Sequence, residues 1–216
     1  MREASTWKPD RGALHGASKM TPGGTHDALP LRTTDDAPDG TKPALIAAEK
    51  SNGYLPNLLR ILANAPVALE TYLKVSVINS HCSLTVAERE AVQITAAAIH
   101  GCAYCVAGHS ALAEEKAKLD KAVINQLREH TRVSDSKLDG VARFAEAVIA
   151  SRGNVSDDEL ARFKNAGFTD HAALEVVLGV SLATLCNFAN NLAHAPLNEE
   201  LKAYRWTGPT STAAAV

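Results

Sequence analysis

The chain has 216 residues, of which 46% are hydrophobic, and its formal net charge is -2. This length and composition suit one sizeable core, or two small domains at most. Lysine and arginine total 22 against 24 aspartates and glutamates, and they form no basic cluster. We therefore expect neither nucleic acid nor an anionic membrane surface as a partner.

The cysteine content and the N-terminal composition indicate a reducing compartment. The cysteines are Cys82, Cys102, Cys105 and Cys186. They are too few and too unevenly spaced for a secreted fold held by disulfides. Residues 1–42 lack the apolar segment of a signal peptide and are too acidic for a typical transit peptide, while Met20 is an alternative start of translation. We expect a cytoplasmic protein.

The first 42 residues contain few large apolar side chains and many turn formers, which predicts a flexible arm or a strap on a partner subunit. From Pro43 onward the chain is rich in Ala, Leu, Val, Glu and Lys, and no segment alternates like a half-buried strand. The sequence therefore predicts an all-α fold, with a helical domain over residues 43–206 and a disordered tail over 207–216.

Start and stop signals divide this domain into roughly eight helices. They lie near residues 56–63, 66–79, 85–99, 102–117, 120–130, 135–152, 156–167 and 170–194, with a short final turn that carries Tyr204 and Trp206. Two capping boxes, Thr85 with Glu88 and Ser156 with Glu159, begin two of the helices, and prolines suited to a first turn begin two others. No repeat of fixed period occurs, which excludes a solenoid.

Two stretches, 91–113 and 176–198, lack Asp, Glu, Lys and Arg over about the length that spans a bilayer. Both contain polar side chains that hydrocarbon would penalise, so we interpret them as buried helices. The polar residues of the second stretch are Asn187, Asn190, Asn191 and His194. These side chains could line a pocket, but we favour hydrogen-bonded groups inside a subunit interface.

The candidate catalytic residues cluster around the C-x-x-C pair Cys102 and Cys105, and His109 lies four residues after Cys105. If Gly101 separates two antiparallel helices, both cysteines lie in the first turn of the second helix, where free N–H groups and the helix dipole favour a thiolate. Cys105 and His109 then share a helix face, so the imidazole can exchange a proton with that sulfur. Glu90, twelve residues before Cys102, can reach His109 from the preceding helix.

The cluster allows two other interpretations. A zinc site is possible because Cys and His are common ligands, but no second C-x-x-C or H-x-x-x-H motif supplies a clear fourth ligand, although His100 is nearby. Buried cysteines are often only small hydrophobic residues, which is the interpretation we prefer for Cys82 and Cys186. For the C-x-x-C pair, the adjacent His and helix start favour redox chemistry instead, and we predict no metal and no cofactor.

Glu90, the run Cys102-Ala103-Tyr104-Cys105 and His109, at these spacings, closely resemble the carboxymuconolactone decarboxylase superfamily, and within it the alkyl hydroperoxidase D-like, peroxidase-related branch. The resemblance covers about residues 45–206. It implies an all-α fold that assembles into dimers, trimers or hexamers. It also implies reduction of organic hydroperoxides without haem or metal.

The same resemblance implies a role for each residue of the cluster. Cys105 would attack the peroxide, Cys102 would resolve the product as a disulfide, and Glu90 with His109 would relay protons. A lipoylated or thioredoxin-like dithiol would reopen the disulfide. Tyr104 stands where some members have a further relay histidine, so the proton path differs at that position.

Two other functions remain open at this stage. The first is a γ-carboxymuconolactone decarboxylase that acts on a lactone acid and needs no cysteine pair. The second is a redox sensor or oligomeric adaptor that forms the disulfide without catalysing turnover.

Overall fold

The computed structural model describes residues 29–209, and every regular element within them is helical. The elements are α1 (Lys42–Asn52), α2 (Asn57–Leu62), α3 (Pro66–Ser80), α4 (Val86–Ile99), α5 (Ala103–Glu115), α6 (Lys121–Arg128), α7 (Ser136–Ser151), α8 (Asp157–Asn165), α9 (Asp170–Leu192) and a 3₁₀ helix (Glu199–Tyr204). The all-α prediction is confirmed, and each of the eight predicted helices corresponds to one of α2 to α9.

Both predicted capping boxes are present. The backbone N–H of Glu88 donates to the Thr85 hydroxyl at 3.2 Å, and the Glu88 carboxylate accepts from the Thr85 backbone N–H at 2.7 Å. Ser156 and Glu159 form the same reciprocal pair at the start of α8. At α9 the cap is Thr169, one residue earlier than the predicted Asp170. Each cap satisfies backbone donors that a helix start leaves free, which is why these boundaries can be predicted locally.

The N-terminal part of the fold departs from the prediction, because α1 was not anticipated and residues 29–41 are not a free arm. The Arg60 guanidinium of α2 donates to the carbonyl oxygens of Leu31 and Arg32 at 3.1 and 2.9 Å. Leu45 of α1 is fully buried. The folded part therefore begins before residue 43. The rest of the predicted arm, 1–28, and the end of the predicted tail, 210–216, lie outside the described residues.

The buried side chains form two clusters that share helices α4 and α9. The first cluster packs α1, α2, α3 and α5 around the ends of α4 and α9, and it contains Cys102, Cys105 and Cys186. The second packs α6, α7 and α8 and includes a stack of Phe144, Phe163 and Phe168. Helix α4 lies at the centre, since nine of its 14 residues are buried against neighbouring helices. The charge-free stretch 91–113 is thus a hairpin of α4 and α5.

Helix α9 is, within residues 29–209, the one helix long and apolar enough to cross a membrane by length and composition, and 44% of its apolar window is buried in the fold. One face packs on α3 and α4. The other face exposes apolar side chains, including Leu174, Phe188 and Leu192. The prediction of a buried helix therefore holds for only one side of α9.

Candidate active site

The turn between α4 and α5 places the C-x-x-C pair at a helix start, as predicted. Gly101 takes a left-handed conformation with φ of +65°, which a residue with a side chain adopts only with strain. Cys102 is the N-cap of α5, and Cys105 lies in its first turn. Both residues are buried, with exposed fractions of 1% and 3%. The two thiols therefore sit where the free N–H groups of α5 favour an anion.

Each sulfur accepts a hydrogen bond. The backbone N–H of Cys105 donates to the Cys102 sulfur at 3.4 Å. The side-chain amide of Asn190, from α9, donates to the Cys105 sulfur at 3.2 Å. Donors that face a sulfur stabilise its deprotonated form. The site is thus built to hold a negative charge on the cysteine pair.

The two thiols differ in acidity. A hydrogen bond from the Cys105 thiol lowers the pKa of Cys102, and the Cys105 backbone N–H, Asn190 and the charge of His109 act in the same direction against the effect of burial. That same hydrogen bond raises the pKa of Cys105 well above its ordinary value, and burial adds to the rise. These contacts favour the thiolate on Cys102, whose sulfur also accepts the Cys105 backbone N–H. This order is opposite to the one expected from the resemblance, which made Cys105 the attacking sulfur.

The expected contact between α4 and α5 joins Glu90 to His109. The Glu90 carboxylate lies 2.8 Å from His109 Nδ1, and the two side chains are 12% and 26% exposed. When the ring is neutral and Nδ1 carries the proton that Glu90 accepts, Nε2 is free to accept another. Since His109 lies one helical turn after Cys105, it is positioned to act as a proton carrier for the pair.

A pocket of about 310 Å³ opens beside the cysteines, between the start of α5 and the end of α9. Its lining residues are Gly101, Cys102, Ala103, Tyr104, Asn190, Asn191, His194 and Ala195. This volume is at the lower end of the range for small-molecule sites. Cys102 lines the pocket and Cys105 does not, so a ligand that enters meets Cys102 first. A larger cavity of about 590 Å³ between α7 and α8 contains no cysteine or histidine.

The polar residues at the end of α9 form hydrogen bonds to other elements of this chain. Asn187 Oδ1 lies 3.0 Å from His100 Nδ1, and the Asn191 amide donates to the His100 carbonyl oxygen at 2.8 Å. Asn190 contacts a cysteine, and Asn190 and His194 line the pocket. Three of the four polar side chains, those of Asn190, Asn191 and His194, thus line the pocket.

Tyr104, which replaces a histidine found in some relatives, is held by other parts of the fold. Its hydroxyl donates to Asn198 Oδ1 at 2.8 Å and accepts from the Leu58 backbone N–H at 3.4 Å. Burial raises the pKa of this phenol. Tyr104 therefore connects α5 to α2 and to the segment after α9, and its hydroxyl does not face the sulfurs as a relay group would.

Two residues near the pair were not identified from the sequence as part of the site. Tyr72 on α3 packs against the buried cluster that contains Cys102, Cys105 and Cys186, and burial raises the pKa of its phenol. Cys186, predicted to be a packing residue, is buried, and burial together with the charge of Cys102 raises its pKa to about 12. It is therefore a protonated thiol next to the pair. No local motif indicates either position.

The remaining cysteine and the metal alternative are outside this arrangement. Cys82 is half-buried at the edge of the second core cluster, in keeping with its predicted packing role. Across residues 29–209, no three His, Cys, Asp or Glu side chains are grouped so that they could hold a metal ion.

Comparison with known proteins matches residues 66–150 to the carboxymuconolactone decarboxylase family. The fold is similar to an uncharacterised peroxidase-related protein with an alkylhydroperoxidase AhpD core from Ralstonia eutropha JMP134, with a TM-score of 0.73 and 22% identity over 80% of this chain and 92% of that one. An uncharacterised peroxidase-related protein from Silicibacter sp. TM1040 gives a TM-score of 0.70, with 18% identity over 88% of this chain and 100% of that one. The debrominase Bmp8 gives a TM-score of 0.66, with 16% identity over 83% of this chain and 96% of that one.

A comparison with curated protein sequences gives no significant match. The structural neighbours share the helical fold at identities too low to transfer an activity. The family match includes Glu90, both cysteines of the pair and His109. Residues 66–150 thus match the carboxymuconolactone decarboxylase family, and the fold of the chain is similar to that of alkylhydroperoxidase AhpD-like, peroxidase-related proteins.

Proposed function

We propose that this protein is a thiol-dependent peroxidase that reduces organic hydroperoxides through a dithiol/disulfide cycle of Cys102 and Cys105. The observation that carries the proposal is the placement of two thiols at the start of α5, each facing a hydrogen-bond donor, beside a pocket that Cys102 lines. Peroxide reduction needs a thiolate to attack and a second thiol to resolve the product. Cys102, which lines the pocket, suits the attack on the peroxide, and Cys105, which does not line it, suits the resolving step.

In the first step the Cys102 thiolate attacks the terminal oxygen of the hydroperoxide. The S–O bond forms and the O–O bond breaks, so the sulfur is oxidised to a sulfenic acid while the peroxide is reduced to an alcohol. The departing alkoxide takes up one proton. The His109 and Glu90 pair, in contact at 2.8 Å, is the proposed source of that proton.

In the second step the Cys105 sulfur attacks the sulfenic acid sulfur of Cys102. The S–S bond forms, the S–O bond breaks, and the hydroxide leaves as water with the proton of Cys105. Because the pKa of Cys105 is raised, this thiol needs a base. His109, one turn further along α5, is the base in this proposal, and Glu90 orients its ring.

An external dithiol completes the cycle by thiol exchange with the disulfide, and it leaves in its own oxidised form. We propose a lipoylated or thioredoxin-like protein as this reductant and the cytoplasm as the compartment, since the cycle needs a reducing pool. The cycle uses no cofactor of its own.

The test separates the two sulfurs. We expect Cys102→Ser to abolish turnover of cumene hydroperoxide with dithiothreitol as the reductant. We expect Cys105→Ser to form one sulfenic acid per subunit, on Cys102, without turnover. Mass spectrometry after dimedone trapping identifies the oxidised sulfur. Cys82→Ser, which alters a cysteine outside the site, is the matched control and should keep wild-type turnover.

Each result bears on a different part of the proposal. Full turnover by Cys102→Ser or Cys105→Ser contradicts the disulfide cycle. A sulfenic acid on Cys105 in the Cys102→Ser variant instead supports the role order implied by the family and contradicts ours. Peroxide consumption that stops at one equivalent in the wild type, with every dithiol supplied, points to a redox sensor.

A decarboxylase acting on a lactone acid is the second candidate, because the family match over residues 66–150 carries that family's name. Such a reaction needs no cysteine pair. Decarboxylation of γ-carboxymuconolactone that survives in a Cys102→Ser, Cys105→Ser double variant would favour it. Since the debrominase Bmp8 was solved with 2,3,4-tribromopyrrole, that compound is a further substrate for the same panel.

A further inference from the structure

Asn190 reaches the cysteine pair from across the pocket. It lies near the end of α9, is 2% exposed, and directs its amide N–H toward the Cys105 sulfur at 3.2 Å. The same amide lowers the pKa of Cys102 and of Cys105. Its direct hydrogen bond is to Cys105, and it comes from a helix far from the pair in sequence.

The other half of this amide has no partner. Asn190 Oδ1 is buried and, among the described residues, accepts no hydrogen bond. An unsatisfied buried acceptor carries a free-energy cost that an apolar side chain of similar shape would avoid. The amide orientation thus favours the sulfurs at the expense of its own oxygen, which is not expected of a side chain that only stabilises the fold.

Asn187, one turn earlier on α9, provides the contrast. It is equally buried at 1% exposed, but its Oδ1 is engaged by His100 at 3.0 Å and no contact with a sulfur is present. The two asparagines share residue type, helix and burial. They differ in whether the amide faces the end of α4 or the thiols.

We propose that Asn190 is a positioning residue that holds the Cys105 sulfur and stabilises the thiolate of the pair. Its consequence for turnover rests on the proposed peroxidase function, whereas its effect on thiol acidity does not. The amide holds the Cys105 thiol, which in turn donates to the Cys102 thiolate, and a disulfide allows no such donation, so Asn190 favours the reduced, reactive form. The other titratable groups around the pair are His109, Glu90, Tyr72, Tyr104 and Cys186.

The test measures thiol acidity directly, without peroxide. The pH dependence of iodoacetamide alkylation is followed by mass spectrometry at Cys102 and Cys105 in the full chain, with Cys82 as the internal reference thiol. In the wild type we expect the midpoint of Cys102 to be lower than that of Cys105. In Asn190→Leu, we expect the Cys102 midpoint to rise by about half to one pH unit, the size of an ordinary hydrogen bond, because the amide acts on Cys102 through the Cys105 thiol.

The stability of the same variants separates a positioning role from a structural one. Asn190→Leu should unfold in urea at or above the wild-type midpoint, because it removes the unpaired oxygen. Asn187→Leu should unfold earlier, because it removes a satisfied contact, and should leave the alkylation midpoint of Cys102 unchanged. Asn190→Ala provides a second test of the acidity shift if the larger side chain disturbs folding.

An unchanged Cys102 midpoint in both Asn190 variants would overturn the proposal, as would an equal shift in Asn187→Leu. A raised midpoint without any peroxidase activity in the wild type would leave the role of Asn190 in place and remove only the proposed function.

Discussion

At the scale of single residues, the acidity of Cys102 depends on donors from separate places. The Cys105 thiol and backbone N–H come from its own helix, the amide comes from Asn190 on α9, and the charge comes from His109. Since these contacts lower the pKa, the thiolate is populated at a lower pH than for an ordinary thiol with a pKa of about 8.5. Attack on peroxide should therefore persist as the pH falls toward the lowered pKa of Cys102 and be lost below it.

A substitution at Glu90 tests the second proposed step, the formation of the disulfide. Glu90→Gln keeps the size of the side chain but removes the negative charge that orients and supports His109. We expect disulfide formation from the Cys102 sulfenic acid to slow by about 10²-fold, because proton transfer by a positioned group commonly contributes 10² to 10⁴. Rapid mixing with peroxide, followed by dimedone trapping over time, measures the lifetime of the sulfenic acid.

Glu70→Gln provides the control, because Glu70 forms only an exposed ion pair with Lys74 on the same helix. That variant should close the disulfide at the wild-type rate. A Glu90→Gln variant with an unchanged sulfenic acid lifetime would remove Glu90 from the relay.

At the scale of elements, two glycines inside helices have opposite surroundings. A Cβ at Gly140 in α7 would lie 2.6 Å from the Cβ of Ala166, the residue that ends α8. A Cβ at Gly108 in α5 would meet nothing nearer than Leu201 Cδ1 at 3.9 Å. The first glycine is thus required for the close approach of α7 and α8, whereas the second is not required by packing.

These surroundings predict stability changes of opposite sign. Gly140→Ala should lower the free energy of unfolding by about 1–3 kcal/mol, since the methyl groups clash and the helices must separate. Gly108→Ala should raise it by about 0.5–1 kcal/mol, because alanine favours the helix and restricts the unfolded chain. Urea unfolding followed by circular dichroism measures both. Equal effects would mean that the α7 and α8 contact does not limit stability.

At the scale of the whole molecule, the exposed side of α9 carries an apolar stripe. Its members, spaced so that they face the same way, are Leu174, Val177, Phe188 and Leu192. Leu174 and Leu192 are five helical turns apart, about 27 Å along the axis. After Glu175, no Asp, Glu, Lys or Arg occurs up to the end of α9 at Leu192. Such a surface is unusual for a monomer in water.

We propose that a second copy of this chain covers the stripe, which makes the protein a homo-oligomer. Leu174→Lys combined with Leu192→Lys should reduce the mass measured by light scattering after gel filtration, since two charges would be buried without partners. Ile46→Lys, at an exposed apolar position on α1, should leave the mass unchanged. A wild-type protein that is monomeric at micromolar concentration would contradict the proposal.

The sequence by itself determined the features that depend on neighbouring residues. The helical class, the two capping boxes and the position of the C-x-x-C pair at a helix start follow from caps and turn residues within a few positions of each other. The contact of Glu90 with His109 was also predictable, because a short turn at Gly101 requires α4 and α5 to run side by side.

Only the tertiary structure decided which helix faces meet, and those contacts determined which distant residues surround the cysteine pair. Asn190 reaches Cys105 across 85 positions of sequence, and Tyr72 and Cys186 belong to the same buried cluster as the pair but come from other helices. The difference in acidity between the two thiols comes first from the hydrogen bond between them within α5, and the burial of Cys105 adds to it. Burial and hydrogen bonds from other helices shift thiol acidity further, and both depend on how the helices pack.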